Sequence, residues 1–331
     1  MSGMKDTALG LILNFFDDIE LYGHVPNGGR IYYISRSQPP LLSCMVMDLL
    51  PHLDPAAQQS FKARALVALE REYAFWMSER AVHVQGHVLN RYWCDAEGAT
   101  PRPESYREDV ATAAGDTTVY AELRAAAESG WDFSSRWWPD TDNNSSSPSN
   151  TETSGSDTET RSKLRHTRIR TIVPVDLNTM MFNLETHLAE LCAACGRSTD
   201  AQKYRSSADA RARAMQALMW DAECHLWRDL MLTSSTETAT PSNSGAGLPV
   251  YTCKQSPCVS AACFIPLWGG AELCKDVATE KVMSALQTSG LLGPGGCMCT
   301  LNDSGEQWDR NVWPPIQWFI VEGEMRFTYT L

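Results

Sequence analysis

Apolar side chains recur at helical spacing along almost the whole chain. Leu9, Ile12, Leu13, Phe16 and Ile19 form one stripe, closed by Gly23 and Pro26. Asp54 and Pro55 read as an N-cap followed by proline at the first helical position, and they open a stripe of Phe61, Ala65, Leu69, Tyr73 and Trp76. Further stripes run through Met180, Leu184, Leu188, Leu191 and Cys195, through Tyr204, Ala208, Ala212, Met215 and Leu218, and through Leu273, Val277, Val282 and Leu286 up to Gly290. No segment sustains the period-two alternation of a half-buried strand. The pattern predicts an all-α protein whose helices run roughly 15–25 residues. Two stretches, 139–162 and 233–247, are rich in Ser, Thr, Asn, Asp and Glu and carry almost nothing to bury. They read as disordered surface inserts rather than domain linkers. A helical array built for protein binding would show a fixed repeat, and none appears.

Composition narrows the class. Length alone, 331 residues, points to two domains, with large single toroids an exception. The net charge of −12 comes with no basic stripe, which argues against nucleic acid and anionic membranes as partners and is neutral towards an uncharged ligand. The N-terminal segment lacks a basic start and an unbroken apolar run, so it does not read as a signal peptide. No apolar run approaches the ~18 residues of a spanning helix. Eleven cysteines settle no compartment. Cys192 and Cys195 have CxxC spacing within a helical run, where structural thiols are the simpler reading. His83 and His87 stand four apart, as two metal ligands on one helix face would, but no third ligand is suggested nearby. No metal and no cofactor are expected.

Candidate chemistry concentrates in Gly130-Trp131-Asp132-Phe133-Ser134-Ser135-Arg136-Trp137-Trp138. Aromatic faces cover the apolar C–H face of a pyranose. They also lower the local dielectric, which raises a carboxyl pKa and lets Asp132 hold a proton near neutral pH, as a glycosidase general acid must. A tryptophan-rich core at a helix end, with a capping aspartate, accounts for the same residues.

Other motifs favour the first reading. Pro26-Asn27-Gly28-Gly29-Arg30-Ile31-Tyr32-Tyr33 runs into Ser35-Arg36-Ser37-Gln38-Pro39-Pro40. Arg102-Pro103-Glu104-Ser105-Tyr106-Arg107-Glu108-Asp109 follows, and Gln307-Trp308-Asp309-Arg310-Asn311-Val312-Trp313-Pro314-Pro315 comes last. In this order, with Pro174-Val175-Asp176-Leu177-Asn178 and Phe264-Ile265-Pro266-Leu267-Trp268 between them, the motifs resemble the trehalases, inverting glycoside hydrolases that split α,α-trehalose into two glucoses. The resemblance covers nearly the whole chain apart from the two inserts. It implies a single (α/α)6 toroid over 1–331, incomplete at both ends, and trehalose as the small-molecule substrate. It also implies roles. Asp132 matches the proton donor and Gly130 a backbone contact to the sugar. Asn27 matches a substrate-binding asparagine. Arg36, Ser37 and Gln38 match one substrate-binding tripeptide, and Arg102, Pro103 and Glu104 match another. A neutral polyol needs such forked donors and carboxylate acceptors for its hydroxyls.

The departures carry expectations of their own. The family's early arginine and Trp-Asp signature has no match here, nor does the later segment with its catalytic-base glutamate. Arg310 is followed directly by Asn311, one residue short of the family pattern, which is expected to shift that loop. The chain as written is therefore expected not to hydrolyse trehalose. The alternative is a catalytically dead, sugar-binding or regulatory variant. Compartment and oligomeric state are left open, although complete animal-type relatives are often secreted or membrane-anchored.

Overall fold

The computed structural model describes residues 3–78, 80–138, 163–236 and 249–328. The expected insert at 139–162 lies outside them, as does most of the second. Nine α-helices occur among the described residues: α1 Lys5–Tyr22, α2 Leu42–Leu49, α3 Pro55–Trp76, α4 Tyr106–Ala113, α5 Val119–Ser129, α6 Val175–Ala194, α7 Ser198–Leu218, α8 Thr279–Thr288 and α9 Pro314–Thr328. Among these residues, no helix is long and apolar enough to cross a membrane.

The apolar stripes explain most of the packing. Ile12, Phe16 and Ile19 are the buried residues of α1, which Gly23 ends in the left-handed conformation at φ +81°. Phe61, Ala65, Leu69 and Trp76 are buried on α3. Pro55 starts that helix as expected, but the Asp54 side chain makes no capping bond. Helix α6 is buried on nearly all sides and forms the centre of the molecule. It packs on α7, α2, α3 and a 3-10 segment, Ala261–Gly269, which α9 covers in turn. A buried polar network locks this centre. Asn178 of α6 accepts from Asn90 N (2.9 Å) and Arg211 Nη1 (2.8 Å), while Arg211 of α7 also forks onto Glu185 at 3.0 and 2.8 Å.

Several expectations need correction. A five-stranded sheet is present, ordered β2-β1-β7-β6-β3, from β1 Ala81–Val84, β2 His87–Asn90, β3 Ile172–Val173, β6 Leu230–Thr236 and β7 Val250–Gln255. Two-stranded pairs are formed by β4 Trp220–Asp221 with β5 Leu226–Trp227, and by β8 Leu292–Gly293 with β9 Gly296–Cys297. Strands this short carry too few residues to register an alternating pattern. The longest, β6, reads as polar in its outer part, where Ser234, Ser235 and Thr236 pair with β7 beyond a register shift at Leu232/Ser234. Thr233 to Thr236 are thus strand, not insert. In the β1–β2 hairpin His83 pairs with Val88 and His87 with Val84, so the two histidines point to opposite faces of the sheet and share no helix face. Leu273 and Val277 precede α8 in a turn and do not belong to its stripe. Apolar side chains remain exposed on α1 (Leu11, Leu21) and α9 (Trp318, Val321, Met325).

Candidate active site

Helix α5 ends at Gly130, whose φ of +74° only a residue without Cβ adopts freely. The turn aims the next residues away from the helix axis. A Cβ on Gly130 would sit 3.9 Å from Pro39 Cγ, so the helix end abuts the segment after Gln38. Residues 132–135 are then held from a loop about 175 positions away. Gln307 Nε2 donates to the Asp132 carbonyl, and Trp308 N donates to the Phe133 carbonyl at 3.0 Å. The Asp309 carboxylate collects Ser134 Oγ (2.8 Å), Ser135 N (3.0 Å) and Oγ (3.0 Å), Thr300 Oγ1 (3.1 Å) and Ser304 Oγ.

A second loop folds onto this corner. Pro26 and Ser37 form a β-bridge, Asn27 N donates to the Arg36 carbonyl at 2.9 Å, and Gln38 N to the Val25 carbonyl at 3.0 Å. Asn27 Oδ1 accepts from Arg36 Nε at 2.9 Å, and Asn27 Nδ2 reaches the Ala127 carbonyl of α5 at 3.2 Å. Gln38 Nε2 donates to the Asn27 carbonyl at 2.8 Å. Arg36 is ion-paired with Glu104, which lies in the turn Pro103–Ser105 opened by Pro103. Arg102 forks onto Asp109 and lies 4.9 Å from the Phe133 ring centre.

Asp132 stands within electrostatic reach of this assembly. Burial raises its carboxyl pKa, Arg102 and Arg36 pull it back, and Glu104 pushes it up again. The net direction is upward. The structure thus brings Asn27, Arg36, Gln38, Arg102, Glu104, Gly130 and Asp132 to one region. Ser37 is the exception. It is buried, and its N and Oγ both donate to Glu128 Oε1, at 3.0 and 2.9 Å, so its hydroxyl faces the interior.

The tryptophans divide between both sequence readings. Trp137 is fully buried and donates Nε1 to the Trp131 carbonyl at 2.9 Å, and Trp138 is buried as well. These two build the core. Trp131 stacks on Trp308, 5.4 Å between centres, and Trp308 on Trp313 at 4.5 Å. That stack walls the loop carrying Gln307. Arg136 is fully enclosed between Trp131 and Trp137.

Sequence reasoning missed the groups behind the site. Glu128 on α5 binds Arg80 Nε (3.0 Å), Ser37 and Trp93 N (3.2 Å), tying three loops together. Arg136 forks onto Asp176 (2.7 and 2.9 Å) and Asp229 (both 2.8 Å). The signal was only an arginine inside an apolar run, which needs buried partners to be tolerated. Nothing in the sequence named those partners.

A family model described as Trehalase matches residues 1–330. The periplasmic trehalase of Escherichia coli O8 (strain IAI1) is 37% identical over 340 residues, covering 97% of this chain and 52% of that protein. The putative periplasmic trehalase of Escherichia coli O157:H7 is 36% identical with the same coverage. Among solved structures, neutral trehalase Nth1 from Saccharomyces cerevisiae superposes with a TM-score of 0.72 at 21% identity, covering 98% of this chain and 58% of that one. This likeness shows the fold, an α/α toroid. The chain spans about half the length of the curated relatives it matches.

Proposed function

The chain belongs to the trehalase family, and from that premise we propose that the site around Asp132 binds α,α-trehalose and supplies the proton donor for inverting hydrolysis. The observation that carries this reading is Asp132: a carboxyl whose pKa is raised by burial, beside two arginines and one further carboxylate. Arg36, Asn27, Gln38, Arg102 and Glu104 offer forked donors and an acceptor for a polyol's hydroxyls. Asp132 delivers its proton to the interglycosidic oxygen as the C–O bond breaks. Water adds to the anomeric carbon from the opposite face, so one α- and one β-glucose leave.

Water needs a second carboxylate, roughly 6.5–9.5 Å from the first. The two that this chain offers by motif are already engaged. Glu104 is paired with Arg36, and Asp309 is saturated by hydroxyl and amide donors. Glu306 is pushed up to about 7 by burial and by Asp309, with Lys163 pulling it back, so near neutral pH it is held partly protonated. This occupancy favours a second reading for residues 1–331 alone, sugar binding without turnover.

Two measurements on the purified chain separate the readings: trehalose binding by calorimetry, and glucose release. Binding with release at a trehalase-like rate supports hydrolysis by these residues. Binding without release supports the second reading, and no binding removes both. In any form that turns over, Asp132→Asn is expected to lower kcat by about 10²- to 10⁴-fold with little change in sugar affinity. Near-normal kcat would dismiss Asp132 as the acid.

A further inference from the structure

A cavity of about 460 Å³ lies between the β6–β7 strand pair, the loop after β2 and the turn Ile169–Thr171. None of the residues gathered around Asp132 lines it. Arg91, Trp93, Glu122, Arg170, Ser234 and Tyr251 line it. Both guanidinium groups lie against one indole, 4.1 and 4.2 Å from the centre of Trp93. Arg91 is 8% exposed, gives Nη1 to the Arg170 carbonyl at 2.8 Å, and has no acceptor at Nε. Arg170 is less satisfied still. Its Nε has no acceptor, and its Nη1 stands 3.6 Å from Glu122, an ion pair outside hydrogen-bond reach. The guanidinium of Arg170 makes no hydrogen bond among the described residues.

One carboxylate faces two guanidinium groups, so the cavity carries net positive charge in a chain whose overall charge is −12. Buried donors without acceptors are costly, and two adjacent cations repel. An oxyanion relieves both conditions, because its oxygens match the guanidinium fork. The volume exceeds that of a bare anion and falls in the range of small-ligand sites, about 300–1,000 Å³. We propose that this cavity is a phosphate-binding site, which takes the dianionic group of a phosphomonoester or inorganic phosphate between Arg91 and Arg170.

The test is thermal unfolding of the purified chain against increasing inorganic phosphate, glucose 6-phosphate as a phosphomonoester, and chloride at matched ionic strength. The melting temperature should rise with the logarithm of phosphate or phosphomonoester concentration and stay flat in chloride. Arg170→Gln should weaken apparent affinity by about tenfold or more. Ser234→Glu, at an exposed rim position, should do the same by bringing in a negative charge without disturbing the interior. Asp132→Asn should leave the response intact, which keeps this site separate from the sugar cleft. A stronger response to glucose 6-phosphate identifies the phosphomonoester as the occupant, and a stronger response to inorganic phosphate identifies the free anion. No response to either, an equal response to chloride, or a response that survives both cavity variants would overturn the assignment. Should Arg170→Gln fail to fold, Ser234→Glu decides alone.

Discussion

Asp132, half-buried, and Glu72, fully buried, both have raised carboxyl pKa values, yet their surroundings give them different work. Asp132 has Arg102 and Arg36 within electrostatic reach and lies among the candidate site residues. As a general acid it acts only when protonated, so turnover in an active form should fall as pH rises through its raised pKa. Glu72 lies inside α3, 1% exposed, with no partner for Oε2, and burial alone pushes it up to about 8 from 4.5. The folded chain therefore keeps a proton that the unfolded chain releases between those values. Its contribution to stability is complete below about pH 4.5 and is lost as pH rises towards 8. The loss is on the order of a few kcal/mol. Glu72→Gln keeps the shape and removes the titration. Urea midpoints at pH 5 and pH 8 should differ less in the variant than in the parent, with the variant the more stable at pH 8. An unchanged pH dependence would assign the effect to another group.

At the scale of the element, two helical glycines do opposite things. Gly323 lets α9 approach the segment Ala261–Gly269. A Cβ there would meet Leu267 Cβ and Trp268 N, each at 3.0 Å, and two of the three nearest atoms are backbone. Gly10 in α1 has nothing within 4 Å of the same position. Alanine is the better helix former by ~1 kcal/mol. Gly10→Ala should therefore stabilise by about 0.5–1 kcal/mol, since only the unfolded chain and helix propensity feel the change. Gly323→Ala should destabilise by about 1–3 kcal/mol, because overpacking against backbone outweighs propensity. Chemical denaturation of the pair tests this. Equal and favourable shifts would mean that α9 is not seated closely on Leu267 and Trp268.

Across the whole molecule, Arg136 joins parts that are far apart in sequence. Its guanidinium connects the Asp132 loop to the first turn of α6 through Asp176 and to the chain before β6 through Asp229. Asp229 also accepts from Val175 N at 2.9 Å. Burial alone would weaken the arginine's charge, and the two carboxylates outweigh that and raise its pKa. Arg136→Met would leave two buried carboxylates without a cation. We expect a loss of about 3–5 kcal/mol at neutral pH. Arg136→Lys should recover little, since a single ammonium cannot fork onto both partners. Chemical denaturation at neutral pH decides this. A Met variant as stable as the parent at neutral pH would show that the ion triad fixes specificity rather than stability.

The sequence by itself determined the helical character, the main buried stripes and the site motifs, because each is written in neighbouring residues. A period of 3.6 needs only one turn of helix on either side to be read. Gly-Trp-Asp-Phe-Ser-Ser-Arg-Trp and Arg-Pro-Glu keep their residue types wherever the chain goes. The tertiary structure alone decided three things. It formed the sheet, whose β3 and β6 strands meet across more than fifty positions and whose pairing partners no local pattern names. It turned Ser37 inward to Glu128 while its neighbour Arg36 faces Glu104. And it assigned Trp137 to the core, Trp308 to a stacked wall and Asp309 to a clamp, roles that depend on which distant atoms lie within hydrogen-bond or van der Waals reach. Those distances are set by packing of the whole chain, so they are absent from any window of sequence.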